Sequence, residues 1–371
     1  MTLGGPSYLA RVLLYLARGR RLGASDEHRL FDAVELPPSE APTLLPRDGR
    51  APDKGWTDRL TATKTRAFRV FRGGRLAAWD APGDRPERAG RLYSVTKSVL
   101  SLAWGAAETE GLVPPPDTPV YRGLTVRNLL RMDSGLAFDE GFGRLNRQVL
   151  TYLHPNARRT AYRARIDGEI GKDFHYNDFH SLLLGVLLER GLVEADWRPR
   201  GPVTEPVAAW VWERVLEPMG MAHPGRFVVD SHRGRFPKTE SGLCLAADDV
   251  VRLGLLMLNQ GTAGGKTVIP RAWIAASTDP SQGWSGAASF TRYRGTSWGP
   301  WLSTGRGFYG WHWWGRHERN AEPTVFAMGI HGQLLVISPR HQAVVVRLAD
   351  RWALNAWWPD VILDALDAGE L

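Results

Sequence analysis

Two hydrophobic periods alternate along this 371-residue chain. From Ser94 onward, Val95, Val99, Leu100, Leu102, Ala103 and Ala106 recur at helical spacing and predict a buried helix. Helical stripes return in "DFHSLLLGVLLERG" (Asp178 to Gly191), in "EPVAAWVWERVLEPMGM", which ends on Pro218, Gly220 and Met221, and in "AADDVVRLGLLMLNQG", which stops at Gly261. "TVRNLLRMDSGL" adds one more, with Thr125 as N-cap and Gly135 as stop. The period shortens in "RAFRVFRGGRLAAWD", where two runs flank Arg72-Gly73-Gly74 as a β-hairpin. It shortens again in "FYGWHWWG", "TVFAMGI", "QLLVIS" and "AVVVRLA", each read as a strand, before a closing helix in "ALNAWWPDVILDALDAG". Residues 22–62, rich in Pro, Gly and charge, read as an irregular lead-in.

Strands at both ends with helices between them predict one sheet built from both chain ends. Residues 1–110 and 262–371 then make an α/β lobe, and residues 111–261 an inserted, mostly helical lobe of the same unit. The class is α/β in the α+β sense. No internal repeat interrupts it.

Composition narrows the function classes. The chain is 43% hydrophobic and 23% charged, as in an ordinary globular protein. Cys244 is the sole cysteine, so no internal disulfide forms, and a reducing cytoplasm is the expected setting. A net charge of +8 invites an anionic partner, but the arginines are dispersed and no nucleic-acid-binding motif appears, so no nucleic-acid partner is expected. The N-terminal "SYLARVLLYLARGRR" carries its charge after the apolar part, the reverse of a secretory signal. It is too short to span a bilayer and reads as a packing helix, a membrane-surface helix being the second choice. No metal-ligand spacing occurs.

Lysine is rare here: Lys54, Lys64, Lys97, Lys172, Lys238 and Lys266 are the complete set. Lys97 falls in the first turn of an apolar helix, where an idle ammonium would be costly. Ser94 and Lys97, three apart, share one helix face. At a helix N-terminus, Ser94 would find in its own backbone N–H a donor for a developing oxyanion. Lys97 could deprotonate it, or hold a nearby base in a useful state.

The surroundings of this pair resemble a known family. "YSVTKS" at a helix start, "LTVRNLLRMDSGL" about thirty residues on, "FHYNDFHSLLLG", "EPMGM" and "GLCLAADDVVRLGLLMLNQG" occur in the order of the serine β-lactamase and penicillin-binding-protein superfamily, class C branch. "MGIHGQLLVISP" with "YGWHWW" upstream is similar to the 6-aminohexanoate-dimer hydrolases and related carboxylesterases. The resemblance implies a β-lactamase-like fold and a cofactor-free acyl-enzyme on Ser94. Lys97 would act as proton relay and Tyr176 as general base and then acid. The backbone N–H groups of Ser94 and Ile330 would form the oxyanion hole.

Two departures matter. The lactamase Lys-Thr-Gly strand is absent, and "GGKTV" at Gly264 is a loop decoy; this disfavours β-lactamase or D-amino-acid peptidase activity, which need a cation for the substrate carboxylate. Asp178 stands where the family usually carries Asn. It is expected to pair with Lys97 and keep it cationic, lowering the Tyr176 pKa and favouring a phenolate base. Trp311, Trp313, Trp314, Trp298 and Trp301 are candidate walls, with Trp313 and His331 as substrate contacts beside Asp178. The reading is a hydrolase of small amides or esters, with a homodimer left open. A non-catalytic binding protein on the same fold is the alternative.

Overall fold

The computed structural model describes residues 31–47, 53–138, 147–350 and 357–371, together with positions 9, 10, 12, 13 and 17. Strand β1 (Ala33–Leu36), helix α1 (Lys54–Ala62) and the hairpin β2 (Thr65–Arg72) and β3 (Arg75–Asp80) open it. Strand β4 (Gly90–Arg91) leads into helix α2 (Val95–Thr109), followed by α3 (Val126–Arg131) and α4 (Asp178–Glu194). Next come β5 (Gly225–Val228), β6 (Leu243–Leu245) and α5 (Ala247–Leu258). The last part runs through β7 (Trp284–Ser285), β8 (Gly307–Tyr309), β9 (Trp314–Arg316), β10 (Thr324–Gly329), β11 (Gln333–Ser338), β12 (Ala343–Ala349) and helix α6 (Trp358–Asp367).

The main sheet has the order β7-β8-β9-β10-β11-β12-β2-β3, antiparallel throughout. Its two sequence halves join where β12 pairs with β2, Val345 opposite Val70. A smaller sheet, β1-β5-β6-β4, lies beside the entry to α2. Alternation along the strands sorts side chains to two faces. Leu335, Ile337, Val344 and Val346 join α2, α4 and α5 in one core, while Leu334, Val336 and Val345 meet α1 and α6 in another. Helix α5 lies so close to β11 and β12 that a Cβ on Gly254 would stand 2.3 Å from Val344. Thus α5, within the range assigned to the helical lobe, packs on the sheet, and residue 261 does not divide the layers.

Three sequence expectations are revised. The lead-in holds β1 and α1: Asp53 caps the helix by accepting from Trp56 N at 2.8 Å, and Trp56 and Leu60, four apart, are buried. Helix α3 has the expected Thr125 cap, but ends at Met132 in the left-handed conformation, before Gly135. "FYGWHWWG" is a hairpin rather than a strand; β8 and β9 pair, and residues 310–313 form its turn, with Gly310 N bonded to Trp313 O. Much of the N-terminal segment lies outside the described residues. Among those described, no helix is long and apolar enough to cross a membrane.

Candidate active site

The Ser94–Lys97 turn sits at the junction of the two sheets. Leu92 N bonds to Leu243 O of β6, and Tyr93 takes a left-handed φ of +50°, turning the chain sharply into α2. That conformation costs a non-glycine residue about 1–3 kcal/mol and tends to persist where the fold requires it. Ser94 itself is the residue before α2, with helical φ and ψ and no side-chain cap bond, so its hydroxyl is not spent on the backbone.

Lys97 is buried, and each of its three N–H groups has an acceptor. Nζ lies 2.9 Å from Ser94 Oγ, 2.8 Å from Glu240 O and 2.7 Å from Asp178 Oδ1. Burial alone would lower its pKa, but the charges of Asp178 and Tyr176, the Asp178 hydrogen bond and Glu240 outweigh it, and the ammonium is pushed up to about 12. Asp178 thus faces Lys97, as expected from the sequence. Its other oxygen accepts from Gln148 Nε2 at 3.1 Å.

Tyr176 enters from the residues before α4. Asn177 caps that helix by accepting from Phe179 N, and its amide donates to Leu136 O. Tyr176 is thereby held next to the helix start, with its ring 5.2 Å from Lys97 Nζ and its phenol within hydrogen-bonding reach of Ser94 and Lys97. Here the electrostatics differ from the sequence expectation. Burial raises the phenol pKa by more than Lys97 and the Ser94 bond lower it, and the Asp178 charge raises it further. The phenol is therefore protonated at neutral pH.

These groups open onto a cleft of about 580 Å³. Ser94, Tyr176 and Asp178 line it with Ile330 and His331. The far end of β10 reaches the Ser94 turn because Gly329 lies against the Leu92 carbonyl; a Cβ there would stand 2.2 Å from that oxygen. His331, at φ +65°, sets its ring 5.3 Å from that of Tyr93. Both carriers of the expected oxyanion donors, Ser94 and Ile330, therefore border the same space.

Trp313 does not. Its indole is fully buried in the helix-side core, because the hairpin turn points it inward. The cleft wall is Trp314, on the other sheet face, stacked on Tyr176 at 5.7 Å and 23°, with Trp298 edge-on to it at 5.0 Å. Lys266 is exposed on a two-stranded turn and takes no part in lining the cleft. Sequence reasoning missed Gln148, Tyr93, Phe138, Tyr152 and Ser241, which line the cleft together with Asn177, Ser297, Met328 and Gly329. Of the five missed, Tyr93 opens "YSVTKS" but the other four belong to no motif, and the fold brings all five together.

Comparison with known proteins agrees with this architecture. The Beta-lactamase family model matches residues 64–360. A 6-aminohexanoate-dimer hydrolase of Paenarthrobacter ureafaciens is 28% identical over 324 residues, covering 81% of this chain and 75% of the relative. A solved Bacillus anthracis structure, provisionally described as a 6-aminohexanoate-dimer hydrolase, superposes with a TM-score of 0.73 at 16% identity, over 93% of this chain and 92% of that one. EstCE1, a hydrolase with promiscuous acyltransferase activity, gives a TM-score of 0.62 at 17% identity, over 86% and 97%. With its fold and most of its length in agreement, this chain belongs to the beta-lactamase family of serine hydrolases.

Proposed function

We propose that the chain hydrolyses small amides or esters through an acyl-enzyme on Ser94. The observation that carries this reading is the meeting of the Ser94 hydroxyl, the Lys97 ammonium and the Tyr176 phenol at one end of the cleft. Lys97 donates to Ser94 Oγ, which leaves the serine proton free to pass toward Tyr176. Once deprotonated, Tyr176 takes that proton, Ser94 attacks the carbonyl carbon, and the backbone N–H groups of Ser94 and Ile330 receive the oxyanion. Tyr176 then returns the proton to the leaving nitrogen or oxygen, and water repeats the sequence to release the acid. Lys97 stays cationic and stabilises the phenolate.

The substrate class is a small amide or ester whose scissile bond is flanked by apolar chain, as the amide of a 6-aminohexanoate dimer is in the relative's name. Asp178 is the one charged side chain in the described lining, and no Lys or Arg is there to anchor a carboxylate as a lactamase or peptidase site requires. The aromatic wall of Trp298, Trp314 and Tyr176 suits an apolar acyl chain. The buried thiol of Cys244 is compatible with a cytoplasmic setting. The test is turnover of a panel of p-nitrophenyl esters and ω-amino amides by the wild-type chain and by Ser94→Ala. Loss of all turnover in Ser94→Ala supports the reading; full activity in that variant overturns it.

A further inference from the structure

His312 occupies the turn between β8 and β9, is 2% exposed, and takes a φ of +63°, a conformation glycine would adopt without strain. Its ring lies between two backbone carbonyls. Nδ1 lies 3.1 Å from Lys97 O, and Nε2 lies 3.2 Å from Leu129 O. Its backbone N–H donates to Leu130 O at 3.1 Å, and its carbonyl accepts from Ser98 Oγ at 2.6 Å. Leu129 and Leu130 carry carbonyls of the last turn of α3, where that of Leu129 also accepts from Met132 N at 3.3 Å. One side chain therefore joins the first turn of α2, the end of α3 and the tryptophan hairpin. Burial drives its pKa down to about 4, so the ring is neutral and carries one proton between two carbonyl oxygens.

We propose that His312 is a positioning residue for acylation: it fixes the backbone of Lys97 against helix α3, and so holds the ammonium at its distances from Ser94 and Asp178. The neutral ring donates to one of these two carbonyls at a time, and the His312 backbone N–H and carbonyl complete the tie through Leu130 O and Ser98 Oγ. The proposal rests on the Ser94 acyl-enzyme reading. It predicts an effect on the chemical step rather than on substrate binding, since His312 does not line the cleft.

The experiment compares wild type with His312→Gly, which relieves the backbone strain and deletes the ring, and His312→Asn, which tolerates positive φ and restores one amide donor. Misplacing a reacting group by an ångström can cost about a hundredfold. The glycine variant should lose about tenfold or more in kcat with KM within about twofold, and its alkaline pH–rate limb should move. The asparagine variant should regain part of kcat. Fluorophosphonate labelling of wild-type Ser94 is the reference: without it the acyl-enzyme reading itself fails. With it, a glycine variant matching wild type in kcat and in its alkaline limb overturns the role of His312 alone. If the glycine variant does not fold, His312→Asn is read by the same criteria, and wild-type kcat and pH profile in it overturn the proposal.

Discussion

Lys97 Nζ stands 2.7 Å from Asp178 Oδ1, while Gln148 holds the second carboxylate oxygen. A carboxylate at this position contributes to the protonation of both Lys97 and Tyr176. Burial raises the Tyr176 phenol and the Asp178 charge raises it further while also raising the Lys97 ammonium, so activity should be low at neutral pH and climb on the alkaline side as Tyr176 ionises. In Asp178→Asn both pKa values fall, and the alkaline limb of kcat/KM should move to lower pH. A pH–rate profile checks this; an unchanged limb would mean that Asp178 acts only on substrate.

Tyr176→Phe keeps the ring that stacks on Trp314 and removes the phenol. Folding should persist while kcat falls by about 10²–10⁴-fold, the range for losing a general base. Steady-state kinetics with a melting curve separate this from a packing defect.

Gly329→Ala tests the close approach of β10 to the Ser94 turn. With φ at −126° the backbone accepts alanine, so the new strain is steric: the Cβ meets Leu92 O at 2.2 Å and Gln333 Cβ at 3.2 Å. That contact should push Ile330 away from Ser94 and lower kcat by about 10²-fold, as for a lost oxyanion donor, with KM little changed.

The adjacent tryptophans should separate cleanly. Trp313→Ala empties a buried site and should cost about 3–5 kcal/mol of stability in denaturant unfolding. Trp314→Leu should instead shift preference among acyl chain lengths and raise KM, because its ring borders the cleft.

Buried histidines should make the fold acid-sensitive. His180 accepts from Ser134 Oγ at Nε2 and donates from Nδ1 to Asn177 O, and burial drives its pKa down to about 3. The unfolded chain binds this proton near pH 6.5 and the folded one does not. Stability is therefore full above pH 6.5 and falls as pH drops toward 3, by about 1.4 kcal/mol per pH unit for this histidine. Urea unfolding between pH 7 and 4 measures the slope, and His180→Gln should flatten it.

The site's chemistry was more legible in the sequence than its walls. Ser94, Lys97 and Asp178 fall on helix faces whose geometry follows from spacing, and the β2–β3 hairpin follows from Gly73 and Gly74. The tryptophan run was read correctly in its faces, Trp311 and Trp313 falling in one core and Trp314 in the other, but the face that borders the cleft is that of Trp314, which alternation alone does not reveal. Helix α1 was hidden among prolines and glycines, with only the Asp53 cap and the Trp56–Leu60 pair to reveal it. The sign of the Tyr176 shift was out of reach, because it depends on how deeply the phenol is buried, a property of the assembled fold.

The central claim is a covalent bond at one hydroxyl. Wild-type protein incubated with a slowly released activated ester, quenched and digested should give a peptide from the Ser94 region heavier by one acyl group, with fragmentation placing it on Ser94. The same treatment of Ser94→Ala should give none. An acyl group on a different residue, or rapid ester turnover with Ser94 never modified, would contradict the account.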